Sequence, residues 1–121
     1  MIQVEHVDFV SLPTQDIPRA KRFYAEILGL ELETEGRDDM EFRAGQVTLD
    51  IWNPASQGQP FAPFLGGVAL RVADVGAARA ELEAKGVEFD GETLDTGVCH
   101  MAFFRDPDGN ALLLHRRYAP R

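Results

Sequence analysis

The chain has 121 residues and a mass of 13.4 kDa, which is the size of one ordinary domain. Apolar residues make up 45% and charged residues 26%, a composition that excludes a disordered chain. The net charge of −8 argues against nucleic acid and anionic membranes as partners, since both would repel it. Because the first ten residues lack the pattern of a secretory signal and the single cysteine cannot form an internal disulfide, a cytoplasmic protein is expected.

The first half of the chain, about residues 4–52, reads as a βαβββ module. A strand is predicted from Val7 to Leu12. A helix follows over 17–28, where apolar side chains recur at the spacing of one helical face. Asp16 is a candidate N-cap, and Gly29 suits the left-handed position that ends a helix.

The last strand of this module is predicted over Val47–Trp52 because apolar and polar side chains alternate there. Val47, Leu49 and Ile51 share the face that should pack on the helix. The other face carries Thr48, Asp50 and Trp52, a mixture of polar and aromatic groups that suits a surface in contact with a ligand.

An uncharged linker, 53–66, leads to a second module over about residues 67–118 with the same layout. A strand from Val68 to Val72 precedes Asp74, a second candidate cap, and a helix that ends at Gly86. The run 106–109, Asp-Pro-Asp-Gly, is typical of a type I turn and joins the last two strands as a hairpin.

These motifs resemble the vicinal oxygen chelate superfamily, which contains glyoxalase I, bleomycin-resistance proteins and extradiol dioxygenases. The similarity covers Phe9–Pro13, Asp16, Ala20, Phe23-Tyr24 and Leu28–Leu30 in the first module, then Val68–Gly86 and Asp106–Asn110 in the second. The resemblance implies a single α+β domain over 1–121, in which two βαβββ modules form a curved mixed sheet around a cavity. It also implies a homodimer.

Enzymes of this superfamily hold a divalent metal with His, Glu or Gln from the first and last strand of each module. The resemblance carries those positions to Phe9, Asp50, Gly67 and Leu113. Only Asp50 has a donor side chain, so no cofactor is expected. A relocated metal site is the alternative, for which the candidate ligands are His6, Asp50, Cys99, His100 and His115.

Aromatic walls with a few polar groups are typical of a small-molecule site. The predicted pocket residues are Phe9, Ser11, Asp50, Trp52, Gly67, Arg71, Leu113 and His115. Asp50 and His115 are the candidates for acid–base catalysis, because the repeat places both on the cavity side of their strands.

The function predicted is the binding of a small molecule without a metal, as the resemblance to bleomycin-resistance proteins implies. The alternative is an enzyme of the superfamily, a lyase or a dioxygenase, that uses relocated ligands or metal-free acid–base chemistry. A third possibility is a protein whose dimer surface matters and whose pocket has no role.

Overall fold

The computed structural model describes residues 1–121 and divides them into two compact units, Met1–Ala62 and Pro63–Arg121. Each unit holds one strand, one main helix and three further strands, so the predicted α+β fold with two βαβββ modules is confirmed. The strands form two four-stranded mixed sheets, one in each unit. No helix is long and apolar enough to cross a membrane.

The first unit is a sheet in the order β1-β4-β3-β2 with β1 and β4 parallel. Its elements are β1 (Phe9–Pro13), α1 (Ile17–Lys21, continued as a π-helix over Arg22–Ile27), β2 (Glu31–Glu35), β3 (Asp39–Ala44), β4 (Val47–Trp52) and a 3₁₀ turn (Pro54–Gln57).

Strand β1 begins two residues later than predicted. The Asp8 carbonyl still accepts a hydrogen bond from Thr48 N–H, but β4 starts at Val47, so earlier residues have no strand beside them. His6 therefore lies in an exposed irregular segment, and the strand alternation expected there does not apply. At its other end β1 extends to Pro13, which an edge strand tolerates.

Helix α1 begins at the predicted cap, where the Asp16 carboxylate accepts a hydrogen bond from Arg19 N–H. Its second half is a π-helix, whereas the sequence predicted regular helical spacing. Adjacent Phe23 and Tyr24 are both buried in the wider turn and pack edge to face, with ring centroids 5.2 Å apart. Tertiary packing of these two rings accompanies the change in helix type.

One face of this sheet packs on α1 and forms the core of the first unit. Leu49 and Ile51 of β4 are buried there, as the alternation predicted, beside Met40 and Phe42 of β3. We call the opposite face the first open face, and it carries the polar side chains of β1, β3 and β4.

The second unit repeats this plan with the strand order β5-β8-β7-β6. Its elements are β5 (Val68–Arg71), α2 (Val75–Ala84), β6 (Phe89–Asp95), β7 (Cys99–Arg105) and β8 (Ala111–Arg117). The side chains that pack under α2 include Ala102, Phe104, Leu112 and Leu114, each at most 2% exposed.

The predicted turn between β7 and β8 is confirmed and is held by buried polar groups. One Asp106 carboxylate oxygen accepts from the backbone of Asp108 and Asn110, and the other accepts from the Asn110 amide. The Asn110 side-chain oxygen in turn accepts from Phe64 N–H at 2.7 Å. This network fixes the end of the linker to the hairpin of the second unit.

Candidate ligand-binding site

The register of three strands brings polar side chains together on the first open face. Asp50 of β4 lies between Ser11 of β1 and Glu41 of β3. Trp52 lies one pair further along, between Pro13 and Asp39. Because directly paired residues share a face of a sheet, these six residues form two adjacent rows.

Three carboxyl groups meet in these rows. Asp39, Glu41 and Asp50 each offer an oxygen, and the three oxygens lie within 4.8 Å of one another. Asp50 is half-buried, and its Oδ2 accepts a hydrogen bond from the Ser11 hydroxyl at 3.4 Å. Its Oδ1 is shielded from solvent and receives no N–H or O–H donor from the protein. We call Asp39, Glu41 and Asp50 the carboxyl trio.

Within the trio, Asp50 holds a proton more tightly than an ordinary aspartate. Burial, the Asp39 carboxyl beside it and the charge of Glu41 together raise the pKa of Asp50 from 3.8 to about 6, against a smaller opposite effect of Ser11. Two neighbouring carboxyls form a hydrogen bond only when one of them is protonated. Asp50 therefore passes between its protonated and ionised forms at about pH 6, well above the range of an ordinary aspartate.

A pocket of about 400 Å³ opens beside the trio, within the size range of small-molecule sites. Its lining residues are Asp38, Asp39, Asp50, Trp52, Ser56 and Gln57. Ser56 and Gln57 belong to the 3₁₀ turn, which Asn53 caps by accepting a hydrogen bond from Ala55 N–H at 3.1 Å. An indole ring, amide and hydroxyl groups thus surround a negatively charged floor.

The sequence named Ser11, Asp50 and Trp52 as candidates, and the strand register places them beside Asp39 and Glu41, which were not predicted. A usable signal was present. Gly45, with φ +67°, stands in a two-residue turn between β3 and β4. A turn of that length fixes the hairpin register, which places Glu41 opposite Asp50.

In the second unit, positions equivalent to the acidic rows carry different chemistry. Leu113 lies between Ala69 and Phe103, as Asp50 lies between Ser11 and Glu41. His115 lies between Arg71 and Met101, as Trp52 lies between Pro13 and Asp39. The register thus supports the equivalence of Asp50 with Leu113 on which the family mapping depends.

The remaining candidate ligands do not gather into a metal site. His6 is exposed and pairs with Asp8 at 2.9 Å, and His100 pairs with Asp95 at 3.4 Å. Cys99 is buried, and its sulfur contacts the Thr96 hydroxyl at 3.1 Å. The group of oxygen ligands that the structure does contain is the carboxyl trio, of which the sequence predicted only Asp50.

The joint role of Asp50 and His115 stays a prediction. The two residues belong to different units, Asp50 to the first and His115 to the second.

Phe9, another predicted pocket residue, is the first residue of β1 and is 58% exposed on the first open face.

A family model named glyoxalase/bleomycin resistance protein/dioxygenase superfamily matches residues 4–114. The chain belongs to this superfamily. Among curated proteins it is similar to the uncharacterized protein YaeR of Escherichia coli (strain K12), with 29% identity over 97% of this chain and all of YaeR.

Two solved structures illustrate the range of relatives. TnmS3, an antibiotic binding protein from Streptomyces sp. CB03234, is 30% identical, with a TM-score of 0.79 over 97% of this chain and 99% of TnmS3. Lactoylglutathione lyase from Agrobacterium tumefaciens is 18% identical, with a TM-score of 0.80 over 93% of each chain, and shares the fold.

Three of the positions that the resemblance assigns to the metal ligands carry side chains without a ligand atom. Phe9, Gly67 and Leu113 offer no donor atom. Gly67 precedes β5 with φ +85°, where a larger residue would be strained. A Cβ at this position would lie 3.5 Å from the Leu113 side chain, so the surroundings of these two positions are apolar.

Proposed function

We propose that this protein binds a small molecule without the metal of its superfamily. In this proposal, the pocket beside the carboxyl trio receives a cationic or hydrogen-bond-donating group of the ligand. The observation that carries it is the shielded Asp50 carboxyl, which lacks a protein donor on Oδ1 and lies next to the half-buried Trp52.

The chemistry of the pocket favours a cation over an anion. When all three carboxyls ionise, they repel one another, and an ammonium group placed among them would relieve that repulsion. The Trp52 ring offers a second attraction, since a cation over an indole face is stabilised by about 1 kcal/mol. The resemblance to an antibiotic binding protein at 30% identity supports binding as the role.

A matched pair of probes tests the proposal. Phenethylamine and 2-phenylethanol have the same ring and chain length, but only the amine carries a charge at pH 7.5. We expect the amine to shift the NMR signals of Asp39, Asp50 and the Trp52 indole, with a dissociation constant at least about tenfold lower than that of the alcohol. Equal binding of both probes, or no shifts at the pocket, would contradict the proposal.

Two variants localise the effect. Asp50→Asn removes a carboxylate from the trio and should abolish the preference for the amine. Glu5→Gln removes the same charge from the exposed segment before β1 and should leave the preference unchanged. Similar losses in both variants would indicate a general attraction of an acidic protein for cations rather than a site.

A second candidate is an enzyme that uses Asp50 as a general acid or base. The raised pKa of Asp50, about 6, favours this candidate because both protonation states are populated near neutral pH. Once a ligand is found, Asp50→Asn separates the two. An enzyme would lose turnover with nearly unchanged affinity, whereas a binding protein would change in affinity alone.

The proposal also includes the organisation of the molecule. We infer that both units form one domain over 1–121, that the protein is a cytoplasmic homodimer and that its partners are small molecules rather than nucleic acid or membranes. The net charge of −8 supports the absence of nucleic-acid and membrane partners, and the single cysteine supports the compartment, whereas the single domain and the homodimer rest on the family resemblance. Sedimentation of the full chain tests the oligomeric state, with a mass near 27 kDa expected from twice the 13.4 kDa chain.

A further inference from the structure

Two aspartate–glycine pairs occur in the second unit, Asp90-Gly91 in β6 and Asp108-Gly109 in the turn between β7 and β8. In such a pair the glycine nitrogen can attack the side-chain carboxyl group of the aspartate, because glycine has no Cβ to obstruct the approach. The attack also needs a backbone that can rotate into the reacting geometry. Both pairs have the same two residues, so their surroundings in the fold decide which pair reacts.

The Asp108-Gly109 pair is held by hydrogen bonds on both of its residues. Gly109 N–H donates to the Asp106 carbonyl at 3.0 Å, and Asp108 N–H donates to an Asp106 carboxylate oxygen at 2.9 Å. Asp106 is itself buried and accepts from the Asn110 amide. Rotation of the Asp108 backbone toward its own carboxyl group would therefore break the network that closes this turn.

The Asp90-Gly91 pair lies where the pairing between strands is interrupted. The register of β6 with β7 stops after Asp90 and resumes at Leu94. The three residues between them, 91–93, face a single residue of β7, which makes this segment a bulge. Strand β6 is also an edge strand of its sheet. The peptide bond between Asp90 and Gly91 thus lies at the point where pairing with β7 no longer holds the strand.

The side-chain contacts of this pair leave the reacting atoms accessible. Asp90 forms an ion pair with Arg105 at 3.6 Å, but its side chain is 64% exposed, so the pair holds it only weakly. Gly91 is exposed, and a Cβ at this position would meet no atom within 4 Å. The Arg79 guanidinium donates to the Gly91 carbonyl at 2.9 Å, so this hydrogen bond engages the oxygen of Gly91 rather than the nitrogen that attacks.

We propose that Asp90 isomerises spontaneously to isoaspartate in the folded protein, whereas Asp108 is protected. The Gly91 nitrogen forms a bond to Cγ of the protonated Asp90 carboxyl group, and the amide hydrogen and the carboxyl hydroxyl leave as one molecule of water. A second water molecule then opens the five-membered imide at the former backbone carbonyl. In the product the main chain runs through Cγ, and the former backbone carbon carries the free carboxylate. This modification does not depend on ligand binding.

Isoaspartate adds one carbon to the main chain of β6. The bulge can take up this extra length, because residues 91–93 are out of register with β7. The free carboxylate is then one bond closer to the main chain, so the ion pair with Arg105 should be lost. We therefore expect the modified protein to stay folded and the product to accumulate with time.

Ageing of the full-length protein in ¹⁸O-labelled water at 37 °C and about pH 6 tests the proposal. Each imide that reopens takes up one labelled oxygen, and the two sites fall into separate tryptic peptides, 86–105 and 106–116. We expect isoaspartate to form at least about fivefold faster at Asp90 than at Asp108, because reaction at Asp108 requires hydrogen bonds of the turn to open. Equal rates at both sites, or a faster reaction at Asp108, would overturn the proposal.

The unfolded chain provides the reference for the effect of the fold. In concentrated urea both pairs should react at rates within about twofold of each other, because no tertiary contact then distinguishes them. The same experiment sets the time scale. If Asp90 in the folded protein showed no isoaspartate over a period that modifies the unfolded chain, the proposal would be wrong.

Two matched variants locate the modification. Asp90→Glu keeps a negative charge near Arg105 but cannot close a five-membered imide, so it should remove most of the isoaspartate that the folded protein forms. Asp108→Glu makes the same change in the turn and should leave the total nearly unchanged. An equal decrease in both variants would show that Asp90 is not the preferred site.

Discussion

Asp50→Asn gives the sharpest test of the electrostatics of the carboxyl trio. The pKa of this carboxyl is raised from 3.8 to about 6 in the folded protein, chiefly by burial and then by Asp39 and Glu41. The folded state therefore holds a proton that the unfolded chain releases. The contribution of Asp50 to stability is fully present below about pH 3.8 and is lost as the pH rises through about 6, because the ionised carboxyl must then be kept beside Asp39 and Glu41.

The magnitude follows from the size of this pKa difference. For a fully buried group, the gap between 3.8 and about 6 would correspond to about 3 kcal/mol of lost stability. Asp50 is only half-buried, so screening by solvent reduces the expected value to about 1 kcal/mol. An asparagine has nearly the same shape, keeps the contact with Ser11 and carries no charge. At pH 8 the variant should thus be more stable than the wild type by about 1 kcal/mol, or about 4 °C in Tm.

Urea denaturation of both proteins at pH 8 and pH 4.5 measures the effect. The gain should be present at pH 8 and clearly smaller at pH 4.5, where the folded wild type is already protonated at Asp50. Glu5→Gln, which removes an exposed carboxylate, should show no such dependence. A variant that is less stable than the wild type at pH 8, or equally stabilised at both pH values, would refute the reasoning.

Two further predictions concern the second unit. Asn110→Ala should lower the free energy of unfolding by about 3 kcal/mol in urea denaturation, since Asn110 is fully buried, the Phe64 N–H would lose its acceptor and the Asp106 carboxylate would lose one of its donors. A loss below 0.5 kcal/mol would count against that network. Tyr118→Phe should raise the pKa of Asp95, measured by NMR titration, because the Gly97 N–H and then the Tyr118 hydroxyl, at 2.8 Å, hold it below its usual range. An unchanged or lower pKa would show that the hydroxyl does not act on Asp95.

Local signals in the sequence predicted most of the fold. Asp16 and Asp74 cap their helices as expected, because an N-cap needs only the side chain and the backbone three residues later. Strand alternation correctly placed Asp50 and Trp52 on the face opposite Leu49 and Ile51.

Features that depend on contacts between residues far apart in the chain could not be predicted from the sequence. The start of β1 is set by where β4 begins, and the π-helix accompanies the packing of two aromatic rings against the sheet. The carboxyl trio forms because the β3–β4 hairpin places Glu41 opposite Asp50 and carries Asp39 alongside.

The sequence by itself determined the two βαβββ modules, their caps and turns and the membership of the superfamily, since these depend on short-range patterns and motif order. The tertiary structure decided which charges meet. Negative charge collects on the open face of the first sheet, where the strand register brings Asp39, Glu41 and Asp50 together. The physical reason is that pairing between strands, rather than distance along the chain, sets the separation of charged groups and hence their pKa values and their ligands.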